Sequence, residues 1–197
     1  MIDSDDTQQP APRRNSFLDA LKRAERKVFT RSAPKSAKAQ IEFLYTRAKR
    51  STKALAEQLG VSPRTVQRYR AGQQTKPQKR LQAALVEETE SQWQPQVRAQ
   101  ARERAATTGG MQVEVYAYFG FECTGSSDDG RERFISTAIS PAYAAEILHL
   151  QEAGATEEDL HPVVAEAITE SYFTEWGSRA QGLRADFTHV RSIEIEF

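Results

Sequence analysis

The sequence predicts a two-part chain, an N-terminal all-α domain with a helix-turn-helix followed by a C-terminal α+β domain of order β-β-α-α-β. Three observations carry this. Residues Ser51 to Ala71, STKALAEQLGVSPRTVQRYRA, place a suitable residue type at each position of a helix-turn-helix. At Met111, just past the breaker Thr107-Thr108-Gly109-Gly110, hydrophobic periodicity changes from helical to alternating. Charge divides at the same point. Residues 1 to 110 carry 22 Lys and Arg against 11 Asp and Glu, and residues 111 to 197 carry 5 against 16, so a net charge of zero conceals halves of +11 and −11.

Residues 1 to 14 are polar, proline-containing and aperiodic, which predicts a disordered tail. The helical domain is expected over 15 to 106. Ser16 is a candidate N-cap for FLDALKRAERKVF, whose apolar face is assigned to Leu18, Leu21 and Val28 and whose cations suggest an electrostatic duty. A supporting helix follows with Ile41, Leu44 and Tyr45 at i, i+3, i+4 spacing. Within the helix-turn-helix, Leu55, Ala56 and Leu59 form one face of the first helix, and Gly60 supplies the left-handed turn that a Cβ would strain. Ser62 and Pro63 cap and start the second helix. Leu81, Leu85 and Val86 make the next apolar stripe. Pro95 marks a kink or a restart, since proline removes a donor and disfavours helix in the residue before it. Arg98, Arg102 and Arg104 beyond it fit either a phosphate backbone or a solvated helix face.

The acidic domain, 111 to 197, opens with a strand that sets Met111, Val113, Val115, Ala117, Phe119 and Phe121 on one face. That face suits an internal core or a homodimer contact. A polar loop, 123 to 130, leads into a second strand, RERFISTAI. Ser140-Pro141 opens a helix burying Ala144, Ile147, Leu148 and Leu150, ended by Gly154, and Thr156 with Glu157, Glu158 and Asp159 starts another that turns Val163, Val164, Ala167 and Ile168 inward. DFTHVRSIEIEF closes the domain as a strand alternating Ile193, Ile195 and Phe197 with Ser192, Glu194 and Glu196.

The second helix of the helix-turn-helix turns Val66 and Tyr69 to the core, which leaves Arg64, Thr65, Gln67, Arg68 and Arg70 at the open side or its edges. These are the side chains that bond guanine, adenine and phosphate in a major groove. Lys53, Lys76, Lys79 and Arg80 add positive charge nearby, and the reader helix itself has no acid. DNA binding is the expectation. An αα-hairpin without a nucleic-acid role is the alternative, and it would mix both signs on its open face. One cysteine, Cys123, excludes an intrachain disulfide and a Cys-rich metal site. His149, His161 and His189 are scattered, so neither a metal cluster nor a His-based catalytic triad is expected, and no phosphate-cradling glycine loop occurs. With no apolar run near the roughly 20 residues of a membrane span and no signal-peptide core, the expected location is cytoplasmic and nucleoid-associated.

From about Leu21 to the C-terminus, the segments PKSAKAQ, the helix-turn-helix, WQPQVRAQAR, AATTGG, the FGF…DD loop, EAGA and SRAQ resemble the telomere terminal proteins that cap linear actinomycete chromosomes and plasmids of the Streptomyces type. The resemblance implies a protein joined covalently, through a side-chain hydroxyl, to 5′ DNA ends, where it primes the synthesis that fills in the recessed telomere. It implies telomeric DNA, as a single-stranded or folded 3′ overhang or as duplex, a telomere-binding protein and a DNA polymerase as partners. It also implies a protein that is substrate rather than enzyme, with no cofactor of its own, Mg2+ and deoxynucleotide arriving with the polymerase. In the family the linked residue is a threonine preceding two aspartates. The stretch here is Ser126-Ser127-Asp128-Asp129, which makes Ser127 the first candidate, with Ser126, Thr124 and the tyrosines of the adjoining strand as further hydroxyls and Thr107 and Thr108 as a second pair. The same loop also suits an ordinary polar turn. A competing function is a helix-turn-helix transcriptional regulator whose second domain dimerises or binds an effector.

Overall fold

The structure is a computed structural model that describes residues 16–122, 130–174, 176 and 183–197. The expected N-terminal tail and the loop hydroxyls Thr124, Ser126 and Ser127 lie outside the described residues, as do the side chains of Phe121 and Glu122. Among the described residues the chain is mixed helix and sheet, with eight α-helices and a three-stranded antiparallel sheet. It divides into two compact units: residues 29–97, and residues up to 28 together with 98–197.

The 29–97 unit is helical. Its elements are α2 (Ala37–Arg47), α3 (Thr52–Gln58), α4 (Pro63–Arg70) and α5 (Lys79–Gln92). Ser36, Ser51 and Ser62 cap the first three, each hydroxyl accepting from the backbone N–H three residues on, which satisfies one of the donors a helix start leaves open. Ile41, Leu44, Leu55, Ala56, Leu59, Val66, Tyr69, Leu81 and Leu85 form its core. Gly60 makes the turn between α3 and α4 at φ +63°. The Tyr69 hydroxyl donates to the Lys76 carbonyl at 3.1 Å, which fixes the connection from α4 to α5. Pro95 marks a restart rather than a kink: Trp93 is extended, Gln94 has φ +43°, and α6 (Pro95–Arg104) begins at the proline.

The other unit is built on β1 (Met111–Glu122), β2 (Arg131–Ile139) and β3 (Arg184–Glu196), in the order β2-β1-β3. Met111, Val113, Val115, Ala117 and Phe119 face inward, so this strand face lies in an intramolecular core and not on an exposed dimer surface. Helices α7 (Pro141–Glu152) and α8 (Glu157–Ile168) cover it with Ala144, Ile147, Leu148, Leu160, Val164, Ala167 and Ile168. Thr156 and Asp159 close a reciprocal capping box on α8, whose last residue runs into a π-helical turn at Thr169–Phe173. Between Tyr116 and Tyr118, β1 advances two residues while β3 advances from Ser192 to Thr188. The extra β3 residues form a bulge, with His189 at φ +51°.

Helix α1 (Phe17–Lys27) departs from the sequence reading. Expected within a helical domain of residues 15 to 106, it packs with the sheet. Its buried face is Phe17, Ala20, Leu21 and Ala24, a complete i, i+3, i+4, i+7 stripe, while Leu18 is only partly buried and Val28 is the C-cap. The physical reason is at its start. The Glu157 carboxylate accepts from the Ser16 hydroxyl at 2.5 Å and from the Phe17 and Leu18 backbone N–H groups at 2.9 Å each, placing an anion on the positive end of the helix. The electrostatic duty expected of its cations is met within the protein by Arg23 and Lys27. Arg23 donates to the Ile193 carbonyl at 2.6 Å and lies 3.4 Å from Glu194, and Lys27 donates to Glu196 at 2.7 Å.

Candidate nucleic-acid interface

Helix α4 is positioned by its own buried side. With Val66 and Tyr69 inside, Arg64, Gln67 and Arg68 project from the opposite face and are exposed. No Asp or Glu occurs from Ser62 to Gln78. The face therefore offers two guanidinium forks and one amide with no carboxylate on the helix to occupy them. Lys53 on α3 and Lys76, Lys79 and Arg80 after α4 are also exposed. The Arg80 guanidinium reaches back over the helix-turn-helix corner, 3.7 Å from where a Cβ on Gly60 would stand.

Two members of the sequence-derived set are placed differently. The Arg70 Nε donates to Glu42 at 3.0 Å, and its guanidinium lies over the Tyr45 ring at 3.5 Å from the centroid, so this arginine is engaged by α2. The hydrogen bond from Arg70 to Glu42 pushes its pKa further up, so it remains a cation. Thr65 is half-buried, and its hydroxyl is 2.9 Å from the Ser62 hydroxyl that caps the helix. Its first duty is local. Two further cations enter the interface: Lys49 and Arg50, exposed between α2 and α3 with φ +53° and +61°. No glycine signals this corner, and the backbone there is held by N–H bonds from Lys49 to Thr46 and from Arg50 to Tyr45. Over residues 29–97 the balance is 13 Lys and Arg against 5 Asp and Glu, a net of +8.

In the basic segment after Pro95, Arg104 is exposed, whereas Arg98 and Arg102 turn toward neighbouring helices. Arg102 donates to Glu25, to Gln151 at 2.8 Å, to the Leu148 carbonyl at 3.1 Å and to Glu152 at 2.9 Å, and Arg98 lies 3.6 Å from Glu25. One guanidinium thus joins α6, α1 and α7. Thr107 and Thr108 are exposed on a π-helical turn, Ala105–Gly109, their hydroxyls donating to the Glu103 and Arg104 carbonyls. The histidines are separate. His161 Nε2 is 2.8 Å from the Phe187 carbonyl, and among the described residues no group of three or more His, Cys, Asp or Glu is placed to hold a metal ion.

Thr124, Ser126 and Ser127 lie in the sequence between β1 and Gly130. A Cβ on Gly130 would overlap the outer end of the Tyr118 ring, so a side chain there would displace that ring. The Tyr116 hydroxyl donates to Glu132 at 3.0 Å. No protein-family model, curated protein or solved structure matches this chain. No helix among the described residues is long and apolar enough to cross a membrane.

Proposed function

We propose that the protein binds DNA through α4 and serves as a terminal protein of a linear replicon, priming synthesis from a loop hydroxyl. The observation that carries the DNA-binding part is the exposed Arg64, Gln67 and Arg68 face on a helix without a carboxylate, seated on a packed core. The +8 unit of residues 29–97 is the nucleic-acid domain in this reading, and the sheet unit presents the 123–130 loop. The resemblance to actinomycete telomere terminal proteins supports the priming part. The Ser127 hydroxyl attacks the α-phosphorus of the first deoxynucleotide, its proton passes to a base, pyrophosphate leaves, and the nucleotide 3′-OH becomes the primer end. A free serine is a weak nucleophile, so the base and Mg2+ belong to the partner polymerase. Cytoplasmic, nucleoid-associated location and a telomere-binding partner follow from the same reading. A helix-turn-helix regulator is the second reading, favoured by the same α4 face.

Two measurements test it. Arg68→Ala is expected to weaken DNA binding by about tenfold and to reduce the salt slope by about one. Unchanged affinity and slope would remove α4 from the interface. Incubated with polymerase, partner and labelled deoxynucleotide, the wild-type chain should become labelled and Ser127→Ala should not. Persistent label moves the site to Ser126 or Thr124 if peptide mapping finds it there, and an unlabelled wild type leaves the regulator reading.

A further inference from the structure

The sheet buries one face only. The other face presents Gln112, Glu114, Tyr116 and Tyr118 from β1, Glu132, Phe134, Ser136 and Ala138 from β2, and Ser192, Glu194 and Glu196 from β3. Three aromatic rings stand together there. Tyr116 and Tyr118 share the face two residues apart, and Phe134 is the register partner of Tyr116. Phe134 is 62 % exposed and Tyr118 37 %, which is costly for large apolar rings. The outer end of the Tyr118 ring lies over Gly130, close to where a Cβ would stand.

What surrounds the rings identifies their occupant. Apart from Ala138 no aliphatic side chain joins them, whereas the fully buried core of a protein interface is more apolar than the surface around it. Three carboxylates on this face meet a cation, while Glu114 is exposed and accepts from the Ser136 hydroxyl at 3.3 Å. Arg191, reaching from the β3 bulge across Tyr116, donates to Glu132 at 2.5 Å, and Lys27 and Arg23 hold Glu194 and Glu196. Glu132 is held below the ordinary carboxyl range by hydrogen bonds from Arg191 and then Tyr116. The excess acid of this unit lies on its helical side instead, at Glu146, Glu152, Glu158, Asp159, Glu166 and Glu170. Aromatic rings on an open antiparallel sheet, amid short polar side chains and with Glu132, Glu194 and Glu196 each facing a cation, are suited to stacking unpaired bases.

We infer that the open sheet face, through Phe134, Tyr118 and Tyr116, is a stacking platform for the bases of single-stranded DNA, separate from the α4 surface. The inference extends the proposed function, because a protein working at a recessed DNA end meets an unpaired strand, and it does not depend on which hydroxyl is linked. Stacking on π-faces is tolerant of sequence and nearly indifferent to salt, in contrast to the phosphate contacts of the basic unit.

The test uses the full chain, a short oligothymidylate, and an abasic strand of the same length at elevated salt. Phe134→Ala should weaken oligothymidylate binding by about tenfold, and Phe134→Trp should restore it. The abasic strand should bind wild type at least as weakly as Phe134→Ala binds oligothymidylate, and Phe134→Ala should cause no further loss on the abasic strand. Duplex binding should follow Arg68 and ignore Phe134, which separates failure of this inference from failure of the α4 assignment. Equal oligothymidylate affinity for wild type and Phe134→Ala overturns the platform. So does a Phe134→Ala change seen only as a shift from dimer to monomer in sedimentation, which would make the face a contact between copies.

Discussion

Arginine is put to opposite uses in the two units. In the helical unit Arg64 and Arg68 stand exposed on a helix that has no acid, whereas in the sheet unit Arg102 is turned inward onto Glu25, Gln151, Glu152 and a carbonyl. Side-chain exposure of 16 % for Arg102 and 11 % for Glu25 shows how far that pair has left water. A desolvated pair is held by its hydrogen bonds and fails badly when halved. A solvated cation contributes little to folding and keeps its charge for a ligand. The difference teaches that cation count alone does not locate a binding surface. The decisive feature is whether a carboxylate of the same fold is within reach.

The largest test of the contrast lies in the backbone. Gly110 has φ +67°, and a Cβ there would collide with the Ile139 carbonyl, while Gly72 has φ +72° with nothing within 4 Å of the same position. Gly110→Ala should therefore cost about 3 kcal/mol or more in chemical denaturation, and Gly72→Ala about 1 kcal/mol. Equal costs would mean that the start of β1 is not held as tightly as the helical turn is loose. Next in size is Arg102→Ala, which takes the closer guanidinium from Glu25 and leaves Arg98 at 3.6 Å, and should cost about 2 to 3 kcal/mol. Arg64→Ala should change stability by less than about 0.5 kcal/mol while weakening DNA binding. The reverse pattern would exchange the roles of the two arginines.

The smallest effect sharpens the comparison at the helix starts. Ser62 caps α4 without an acid, whereas Thr156 caps α8 together with Asp159. Backbone and then side-chain hydrogen bonds from Thr156 hold the Asp159 carboxyl below its ordinary 3.8. A carboxyl depressed in the folded chain stabilises it above the unfolded value, and that contribution is lost as pH falls from about 4 through the folded value. Thr156→Val should raise the Asp159 titration midpoint towards 3.8, followed by carbonyl chemical shift, and should flatten this part of the acid limb. A midpoint unmoved by the substitution would leave the backbone N–H of residue 156 as the whole cause.

The elements themselves were mostly legible in the chain. The Ser-Pro signatures mark α4 and α7, RERFISTAI coincides with β2, and alternation from Met111 gives β1, because caps and periodicity are local physics. The candidate interface was legible in part. Arg64, Gln67 and Arg68 stand where a 3.6-residue repeat puts them, but Arg70 is taken by Glu42 and Tyr45, which lie 28 and 25 residues earlier. No local pattern announces such a partner. The same applies to α1. Its stripe was offset by one residue in the sequence reading because Phe17, at the cap, carries the first contact, and its placement depends on a glutamate 140 residues away.

Composition, periodicity and capping residues were enough to define where helices and strands run, that charge is divided along the chain, and that one short helix carries arginine without acid. Tertiary structure alone decided which cations remain available, which helix belongs with the sheet, and that one sheet face keeps two aromatic rings, Phe134 and Tyr118, in the open. The reason is range. Backbone conformation answers to neighbours within a turn or two, whereas the state of a charged or aromatic side chain depends on distant groups that meet it only after the chain has folded.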